Sequence, residues 1–487
     1  MERCLGKPLV DVTVEKSAVS HKVRLLLFPY NIQLQKVFGT SHSQTTQRQN
    51  ALSVLIVDAA PEFSARCYGV SEAGLPPKKK NVYEADLQDL QEYFENFCEA
   101  FARFANQGSA GTELPYLFGQ LEEYFTREKD SMHSEFMNDD GTSLSTSTFR
   151  LLFKALDECK ANNDKAKTYI RCGKSLVESL IFDTYCTFRG VSISNVFSIP
   201  DENDSHQTFY TAALNPDIDE IVKAAAFGRG HTKNLKIKLN QDVEMTRKIL
   251  HRLDSATELR GSEQDTQRNW SIDANCSWTP KTCEQMLNEV LIKYKDRIYM
   301  VEQPFPVDFL EQDLETQRLW ASVKEMYNTQ GIKIFADESM RNAEDVGRLA
   351  PYVDGVNIKL EKCGGYREAF KAVRAAQSQG LLIWFGCMVG SNLNSTATSH
   401  MFSLACCSDL DGALLVTDQS KLFHGGFQFK NSSISLPIDT FGVGVIAKGA
   451  FSDELKALNL MHFDANVNKQ RPLGDYLADL GLQKKKL

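Results

Sequence analysis

From about residue 205 onward, short apolar runs alternate with helical patterns at intervals of roughly 25 to 35 residues. Such alternation predicts parallel strands that are joined by helices. Eight runs suit a (β/α)8 barrel, and an open doubly wound sheet is the structural alternative. The candidate strands are 208–213, 235–239, 270–275, 298–303, 332–337, 355–359, 382–386 and 412–416.

The preceding part of the chain has a different pattern. Apolar stretches at 25–28, 52–57 and 65–70 alternate with polar turns, which predicts a short antiparallel meander. From 86 to 107, apolar residues recur at every third or fourth position, which predicts an amphipathic helix with its apolar face packed inward. Residues 137–148 have the composition of turns, and we expect a surface loop or insertion there.

Composition and charge limit the classes of function. A chain of 487 residues with 42% hydrophobic composition can bury two medium cores, so two domains are expected. The net charge of -8 gives no basic surface for nucleic acid or an anionic membrane, which makes a small molecule the expected partner. The start lacks a signal-like apolar core, no later apolar run is long enough to span a membrane, and the 12 cysteines form no Cys-x-x-Cys pair. A reduced, cytoplasmic enzyme is therefore expected, with the tail at 484–487 interpreted as a solvated segment rather than a peroxisomal signal.

Three acidic residues conclude successive strand candidates, at the end of a barrel where active sites lie. They are Asp273, Glu302 and Asp337. Taken singly, each would usually cap a helix or face water. Together they supply hard oxygen ligands without histidine or cysteine, which predicts a magnesium site.

Lysines occupy two further strand ends. Lys236 and Lys238 lie two positions apart, so both side chains should point to the same side of their strand, toward the barrel interior. Lys359 ends a strand far across the barrel and could approach the same substrate carbon from the opposite face. Two bases on opposite faces suit inversion of configuration.

This set of residues fits removal of a proton next to a carboxylate. Loss of that proton places a second negative charge on the carboxylate, which a metal ion stabilises as a Lewis acid. Near Mg²⁺ and near each other, the lysines should have lowered pKa values, because like charge disfavours the ammonium form. A neutral lysine can then accept the proton.

The motifs resemble the muconate-lactonising subgroup of the enolase superfamily, and most of all its dipeptide epimerases. In the N-terminal part, Phe38-Gly39-Thr40-Ser41-His42 is similar to the family's covering loop, and Tyr68 to Ala73 is similar to its strand ending in Gly-Glu-Ala. Near the end, Gly442-Val443-Gly444-Val445 resembles a Pro-Gly-x-Gly turn. The barrel motifs that match in order and spacing are Lys236-Ile237-Lys238, Asp273-Ala274-Asn275, Glu302-Gln303-Pro304, Asp337-Glu338-Ser339 and Asn357-Ile358-Lys359.

The resemblance implies a fold and a domain organisation. The fold is a (β/α)8-type barrel with an α+β N-terminal capping domain that the C-terminal segment completes. We expect the capping domain at 1–204 with an insertion around 108–148, the barrel at 205–417, and the segment that returns to the cap at 418–487. A homo-oligomer is compatible with this organisation.

The resemblance also implies roles for individual residues. Lys238 and Lys359 become the two acid/base catalysts, and Lys236 assists. Each subunit is expected to bind one Mg²⁺ through the three acids. The residues expected to support these groups from behind are Asn275, Glu338 and Asn357.

The substrate class is predicted by Asp409-Leu410-Asp411, which is similar to the Asp-x-Asp motif with which dipeptide epimerases bind the substrate's ammonium group. The sequence places this motif at the start of the eighth strand candidate. Two carboxylates at one end of a cavity and Mg²⁺ at the other would hold the two charged ends of a dipeptide. Further substrate contacts are expected from Phe38, Thr40 and Met388.

Some alternatives remain. Cycloisomerases and o-succinylbenzoate synthases of the same subgroup share the metal site and the lysines, so those residues alone cannot identify the substrate. A binding protein that retains the fold without turnover is a third interpretation. Gly390 and Gly39 depart from residues frequent in the family, so the resemblance does not specify the side chain of the substrate.

Overall fold

The computed structural model describes residues 2–15, 22–40, 44–58, 66–78, 83, 85–107, 144–159, 168–189, 191–197, 199, 206–259, 268–418, 421–430, 432–436, 440–457 and 460–461. Most of the expected insertion, Ser41 and His42 of the expected covering loop and the tail at 484–487 lie outside these residues. Among the described helices, none combines the length and the apolar character that a membrane crossing requires.

The first sheet is a meander with the strand order β1-β2-β3-β4-β17. Neighbouring strands are antiparallel, except that β17 joins β4 in parallel. The antiparallel meander is therefore confirmed, with strands longer than the apolar stretches because polar residues continue the β2–β3 pairing to Gly39 and Gln44. The strands are β1 (Val10–Val14), β2 (Val23–Gly39), β3 (Gln44–Asp58), β4 (Arg66–Ala73) and β17 (Leu460–Met461).

Three long helices pack on one another and on this sheet. The apolar stripe of the first is fully buried at Phe94, Phe97 and Phe101, which confirms the predicted amphipathic helix. The loop expected at 137–148 is wrong from Leu144 onward, because a helix begins there and buries Phe149 and the apolar residues after it. The helices are α1 (Glu2–Leu5), α2 (Leu87–Gln107), α3 (Leu144–Glu158), α4 (Thr168–Arg189) and α5 (Ile193–Val196).

The second sheet contains eight described strands, which follow one another in chain order and are all parallel. A bridge between Thr208 and Ser408 joins its two outer edges, so the sheet forms a barrel and not an open doubly wound sheet. The strands are β5 (Phe209–Ala212), β6 (Asn234–Lys238), β7 (Trp270–Asp273), β8 (Ile298–Glu302), β9 (Lys333–Ala336), β10 (Gly355–Ile358), β11 (Leu382–Gly386) and β12 (Cys407–Asp409).

Helices connect the strands of the barrel and begin at polar caps. Asp217, Asp242, Asp313 and Asn342, for example, accept hydrogen bonds from the first-turn amides that the helix itself leaves unpaired. The helices are α6 (Ile218–Arg229), α7 (Val243–Ser255), α8 (Pro280–Gln285), α9 (Leu314–Asn328), α10 (Ala343–Leu349), α11 (Leu360–Cys363), α12 (Tyr366–Ser378), α13 (Asn392–Ser399) and, after the barrel, α14 (Gly449–Ala457).

Seven of the eight strand predictions are confirmed, and the eighth is wrong. Gly412–Leu415 forms a 3-10 turn, while the strand is the short polar segment β12. The apolar run was misleading because it packs against α13 instead of pairing with β11. In consequence Asp409 concludes the eighth strand, at the same end of the barrel as the other predicted site residues.

An apolar layer fills the barrel directly beneath these strand ends. Phe209, Met300, Phe335, Trp384 and Cys407 form one buried cluster. Each of them precedes a residue of the barrel mouth by two positions along the chain, so the two residues of each pair face the interior of the barrel. The layer fills the interior of the barrel directly below the mouth.

The outer parts of β2 and β3, residues 33–39 and 44–49, form what we call the covering hairpin. It lies on the carboxyl end of the barrel, where the Thr417 amide donates to the Gln33 carbonyl at 2.9 Å and the Leu214 amide donates to that of Gly39 at 3.1 Å. On the next stretch of β3, the side-chain amide of Asn50 donates to the main-chain carbonyl of Val389, which follows β11, at 3.1 Å. The first sheet therefore reaches over the barrel mouth.

Additional strands lie beyond the barrel, where β13 (Phe423–Gly425) pairs with β16 (Val445–Ala447) and β14 (Gln428–Lys430) pairs with β15 (Ser433–Ser435). The turn before β16 is fastened to the first sheet by the buried Asp183 of α4. Its carboxylate accepts from the Val70 amide in β4 and from the Val443 amide, both at 2.7 Å.

Candidate active site

The three predicted metal ligands lie side by side at the mouth of the barrel. Asp273 and Glu302 end β7 and β8 and are paired in register, and Asp337 follows the last residue of β9. All three are at most 1% exposed. We call these three acids, together with Lys236, Lys238 and Lys359 that contact them, the barrel floor.

Lys236 links three carboxylates of this region. Its Nζ lies 2.6 Å from Glu302, 2.7 Å from Asp409 and 3.3 Å from Asp273. Burial lowers the pKa of Lys236, but these carboxylates outweigh burial and raise the pKa well above its ordinary value. Lys236 is therefore a fixed positive charge at the centre of the barrel floor.

Lys238 lies at one end of the row of acids. Its Nζ donates to Asp273 at 2.6 Å and to the side-chain oxygen of Asn275 at 3.0 Å. The ring of Phe38, from the covering hairpin, is centred 6.0 Å from the same ammonium group. The candidate base is thus held from below by the barrel and lies beneath an aromatic ring.

Lys359 lies at the other end of the row. Its Nζ donates to Asp337 at 2.7 Å, and its strand β10 is four strands away from β6 in an eight-stranded barrel. Burial lowers the pKa of Lys359, but Asp337 together with Asp409 and Glu302 raises it well above the ordinary value. The sequence led us to expect a lowered pKa for Lys359, in the field of a bound Mg²⁺. The protein groups by themselves raise this pKa instead.

Lys362 is a site residue that the motif analysis missed. It is buried and donates to the Asp337 carboxylate, to the Asp337 carbonyl and to the Asn357 carbonyl. Burial opposes the charge of Asp337, but Lys359 and Lys362 outweigh it and hold its pKa well below the usual range. Lys362 follows Lys359 by three positions, on the helical turn α11, and this spacing is the sequence signal that could have identified it.

The residues expected to support the site do contact its charged groups. The Asn275 side chain, on a backbone with φ of 44°, accepts from Lys238 and donates to Glu338 at 3.3 Å. Asn357 donates to Glu302 at 2.7 Å. Gln303, quoted in the sequence motif without a role, accepts from the main-chain amides of Asp337 and Ser339 and so shapes the loop after β9.

The donor set fits a magnesium ion in its chemistry. As the side chains stand, no three His, Cys, Asp or Glu residues of the described ranges surround one coordination point, because lysine ammonium groups lie between the carboxylates. Burial raises the pKa of Glu302 to about 8, and Asp273 and Asp337 add to the rise against the effect of Lys236. A buried carboxyl group crowded by other carboxylates is a favourable position for a divalent cation, which stabilises its charged form.

Asp409 and Asp411 lie near Lys236, at the end of β12 and just beyond it. Asp409 accepts from the Trp384 indole at 2.8 Å as well as from Lys236. Asp411 accepts from the Thr211 amide at 2.5 Å, and burial together with Asp409 raises its pKa to about 6. Trp384 was not identified from the sequence, since an aromatic residue inside a strand normally indicates core packing.

Gly386 permits the close approach of these groups. A Cβ atom at this position would lie 2.7 Å from Asn357 Oδ1, from Asp409 Oδ1 and from Lys359 Cε. No other residue than glycine fits there without moving at least one of them.

The three remaining predicted contacts lie around the mouth. Phe38 is buried above Lys238, and Thr40 is half-buried at the end of the covering hairpin. Met388 is buried after β11, against Gly74 of the first sheet. Tyr83 also approaches the mouth and was missed; it packs with Cys276 and Val307, and burial with the nearby carboxylates of Glu338 and Asp337 raises its pKa well above the ordinary value.

Comparisons with known proteins agree with this geometry. The family model described as enolase C-terminal domain-like matches residues 219–448. An enolase superfamily member from Dictyostelium discoideum is 34% identical over 441 residues, which cover 88% of this chain and 97% of that protein. An L-Ala-D/L-Glu epimerase from Bacteroides thetaiotaomicron is 23% identical, with 89% and 91% covered.

Solved structures show the same fold. The substrate-liganded L-Ala-D/L-Glu epimerase from Bacillus subtilis has a TM-score of 0.62 at 19% identity, with 88% of this chain and 99% of that chain covered. A dipeptide epimerase from Cytophaga hutchinsonii complexed with Mg and the dipeptide D-Ala-L-Val has a TM-score of 0.62 at 18% identity, with 88% and 97% covered.

Proposed function

Because the chain belongs to the enolase superfamily, we propose that it is a magnesium-dependent dipeptide epimerase that inverts the α carbon of the C-terminal residue. The observation that supports this proposal best is the placement of Lys238 and Lys359 at opposite ends of a row of buried carboxylates. A carbon held above that row has an amine on either side. Such an arrangement suits removal of a proton from one face and its return to the other.

Asp273, Glu302 and Asp337 would hold one Mg²⁺ per subunit. When bound, the ion supplies Lewis-acid stabilisation to the substrate carboxylate, where negative charge develops. Lys236, which already contacts two of these acids, keeps a positive charge beside the same carboxylate. Its ammonium group lies within 3.3 Å of three carboxylates, which suits a group that stabilises charge without transferring a proton.

The proton moves between the two lysines and the substrate carbon. In one direction Lys238 removes the α proton and the protonated Lys359 donates one to the opposite face; in the other direction the roles exchange. Each lysine already has a carboxylate partner, Asp273 or Asp337, that stabilises it after it has gained a proton. Asn275 and Lys362 keep those partners in place.

The rest of the substrate would lie between this row and β12. Asp409 and Asp411 are buried carboxylates placed to receive the ammonium group of a dipeptide. Phe38, Thr40 and Met388 would contact the part of the substrate that faces the covering hairpin. Location in the cytoplasm and assembly into homo-oligomers stay predictions from the sequence.

Incubation of the protein with Mg²⁺ and a dipeptide library in D₂O tests the proposal. An epimerase yields both diastereomers with deuterium at the α carbon of the C-terminal residue. Formation of an unsaturated product instead would identify a lyase, and a ring-forming product would identify a cycloisomerase. A magnesium-loaded protein that exchanges no α proton in any dipeptide would contradict the proposal and favour a non-catalytic relative.

A further inference from the structure

The amino end of the barrel, opposite the mouth, carries a pair of adjacent thiols. Cys406 precedes β12 and Cys407 begins it, and their sulfur atoms lie 3.7 Å apart. Cys407 is buried in the apolar layer of the barrel. Cys406 is exposed, which holds for no other cysteine whose side chain the structure describes. A reagent in solution can therefore reach one sulfur atom, and the second is in contact with the first.

A tyrosine from the opposite side of the barrel reaches the exposed thiol. Tyr299 lies near the start of β8, four strands away from β12, and its hydroxyl oxygen is 3.6 Å from Cys406 Sγ. The register between β7 and β8 skips Tyr299, so this residue forms a bulge. A bulge re-aims a side chain, and the ring of Tyr299 packs against the apolar layer. The irregular strand thus places a phenol beside Cys406.

These contacts favour the thiolate form of Cys406. The thiol of Cys407 and the hydroxyl of Tyr299 can each donate a hydrogen bond to it, and together they outweigh burial and lower the pKa of Cys406 to about 7. While it is protonated, Cys406 donates to the Ile383 carbonyl at 3.0 Å. Burial raises the pKa of Cys407 well above its ordinary value. Because the thiolate is the reactive form of cysteine, the exposed sulfur atom is the nucleophile and the buried one keeps its proton.

The two thiols are connected to the mouth by a very short strand. β12 consists of Cys407, Ser408 and Asp409. Cys407 is in register with Trp384, and the Trp384 indole donates to Asp409 at 2.8 Å. A change that draws the Cys407 sulfur atom out of the apolar layer therefore acts on Trp384 and on Asp409 together.

We propose that Cys406 and Cys407 are a site of reversible oxidation by hydroperoxides, which ends in a disulfide between them and displaces Asp409. The Cys406 thiolate attacks one oxygen of the hydroperoxide; an S–O bond forms, the O–O bond breaks, and the other oxygen takes a proton and leaves as an alcohol or, from hydrogen peroxide, as water. The Cys407 sulfur then attacks the Cys406 sulfur; an S–S bond forms, the S–O bond breaks, and water leaves with the Cys407 proton. The pair loses two electrons, which reduce the hydroperoxide.

Reversibility follows from the adjacency of the two residues. Neighbouring Cα atoms are about 3.8 Å apart, which is closer than the lower limit of roughly 4.4 Å in ordinary disulfides. The disulfide is therefore strained, and strained disulfides are readily reduced. An external dithiol restores both thiols by exchange and is itself oxidised to a disulfide.

Mass spectrometry of the full chain tests the site. The protein is treated with a small excess of hydrogen peroxide and then alkylated with iodoacetamide, with or without dithiothreitol in between. The peptide that contains Cys406 and Cys407 should lose two hydrogen atoms and escape alkylation, and dithiothreitol should reverse both effects. Cys407→Ser should stop at a sulfenic acid on Cys406, which dimedone traps. Cys159→Ser, which removes a half-buried thiol after α3, is the control and should react like the wild type.

Tyr299→Phe isolates the contribution of the phenol, because it keeps the ring and removes the donor. The variant should react with hydrogen peroxide about tenfold more slowly near neutral pH, and the midpoint of its pH–rate profile should move upward. Equal rates and equal midpoints in the wild type and Tyr299→Phe would overturn the inference. So would a sulfinic acid on Cys406 of the wild type with Cys407 still free.

The effect on Asp409 is measured through catalysis, and this part of the inference rests on the proposed function. With a dipeptide that the reduced, magnesium-loaded protein epimerises, oxidation should lower kcat/KM about tenfold, and dithiothreitol should restore it. Cys406→Ser should keep its activity in peroxide. Unchanged kcat/KM in the oxidised wild type, or an equal loss in Cys406→Ser, would overturn the link to Asp409. If the reduced wild type epimerises no dipeptide, the proposed function fails, while mass spectrometry still decides whether the two thiols form the disulfide.

Discussion

The barrel floor and the covering hairpin face each other across the same mouth but balance their charges differently. In the barrel floor, Lys236, Lys238 and Lys359 each contact at least one carboxylate within 2.7 Å. In the covering hairpin, the guanidinium group of Arg48 is buried beside an aromatic ring and pairs with no carboxylate of the described residues. When a substrate binds, the charges of the barrel floor already have partners, whereas Arg48 can still accept an anionic partner.

The difference indicates a division of labour. Paired charges in a buried row keep fixed positions, which is what proton transfer requires of the groups that perform it. An unpaired buried charge is stabilised most by a ligand group of opposite charge. Such a group can therefore discriminate between substrates. Substitutions in the barrel floor should therefore affect all substrates alike, and substitutions in the covering hairpin should affect them unequally.

The largest expected effect comes from removing one of the two amines. Lys238→Met and Lys359→Met should each reduce epimerisation by roughly 10³-fold, because each direction of reaction needs both an acceptor and a donor. Each variant should retain α-proton exchange with one diastereomer only, and the two variants should retain it with opposite ones. Deuterium incorporation into separate L,L and L,D dipeptides measures this.

Lys248→Met, in an exposed position on α7, is the control for loss of a lysine. Both active-site variants should lose the same fraction of activity with acidic and with neutral dipeptides. Exchange of the same diastereomer by both variants would place the two amines on one face of the substrate and contradict the two-base proposal.

A smaller effect is expected from filling the space at Gly386. In Gly386→Ala the new methyl group displaces Asn357, Asp409 or Lys359, which it would otherwise meet at 2.7 Å. A displacement of about 1 Å typically costs 10²-fold in rate. Steady-state kinetics should show a fall in kcat for every dipeptide, with far-UV circular dichroism unchanged. Gly347→Ala is the matched control, since nothing lies within 4 Å of its added carbon; equal rates in both variants would show that the close approach at Gly386 is dispensable.

The smallest effect concerns the attachment of the first sheet. Burial raises the pKa of Asp183 from 3.8 to about 7, although the amides of Val70 and Val443 lower it. The folded state therefore binds a proton that the unfolded state has released between about pH 4 and pH 7, so this group makes stability fall as pH rises through that window. In Asp183→Asn the slope of unfolding free energy against pH should change by up to about 1.4 kcal/mol per pH unit in the positive direction.

Urea unfolding at several pH values measures this slope. Asp296→Asn, which changes an exposed aspartate, should leave it unchanged. An identical slope in wild type and Asp183→Asn would mean that Asp183 is already ionised near pH 4 and that its two amide donors offset the cost of burial.

The barrel could be predicted from the sequence because its strands are apolar runs that end in charged residues. Those endings identified Lys238, Asp273, Glu302 and Asp337, which the structure places together. The eighth strand could not be found in this way, since Cys407-Ser408-Asp409 is too short and polar to be recognised, and the apolar run that follows packs on a helix.

Other features depend on tertiary contacts that no local pattern encodes. From the sequence alone, Lys362 would be placed on a helix surface and Trp384 in the interior of a strand. Only the fold brings Lys362 to Asp337 and Trp384 to Asp409. Arg48 lies in a polar stretch where an arginine would be expected to face water. Its burial arises because the covering hairpin lies on a barrel whose residues begin about 160 positions later.

Asp183 also has a consequence for the order of events during synthesis. It joins a strand made early, through Val70, to a turn made late, through Val443, and β17 completes the first sheet only at Leu460–Met461. A ribosome that has finished β1 to β4 has therefore produced a sheet whose last strand still lacks the partner of its first two residues, hundreds of codons away. Until those late segments are made, Arg66 and Cys67 lack their strand partners and Asp183 lacks one of its two amide donors.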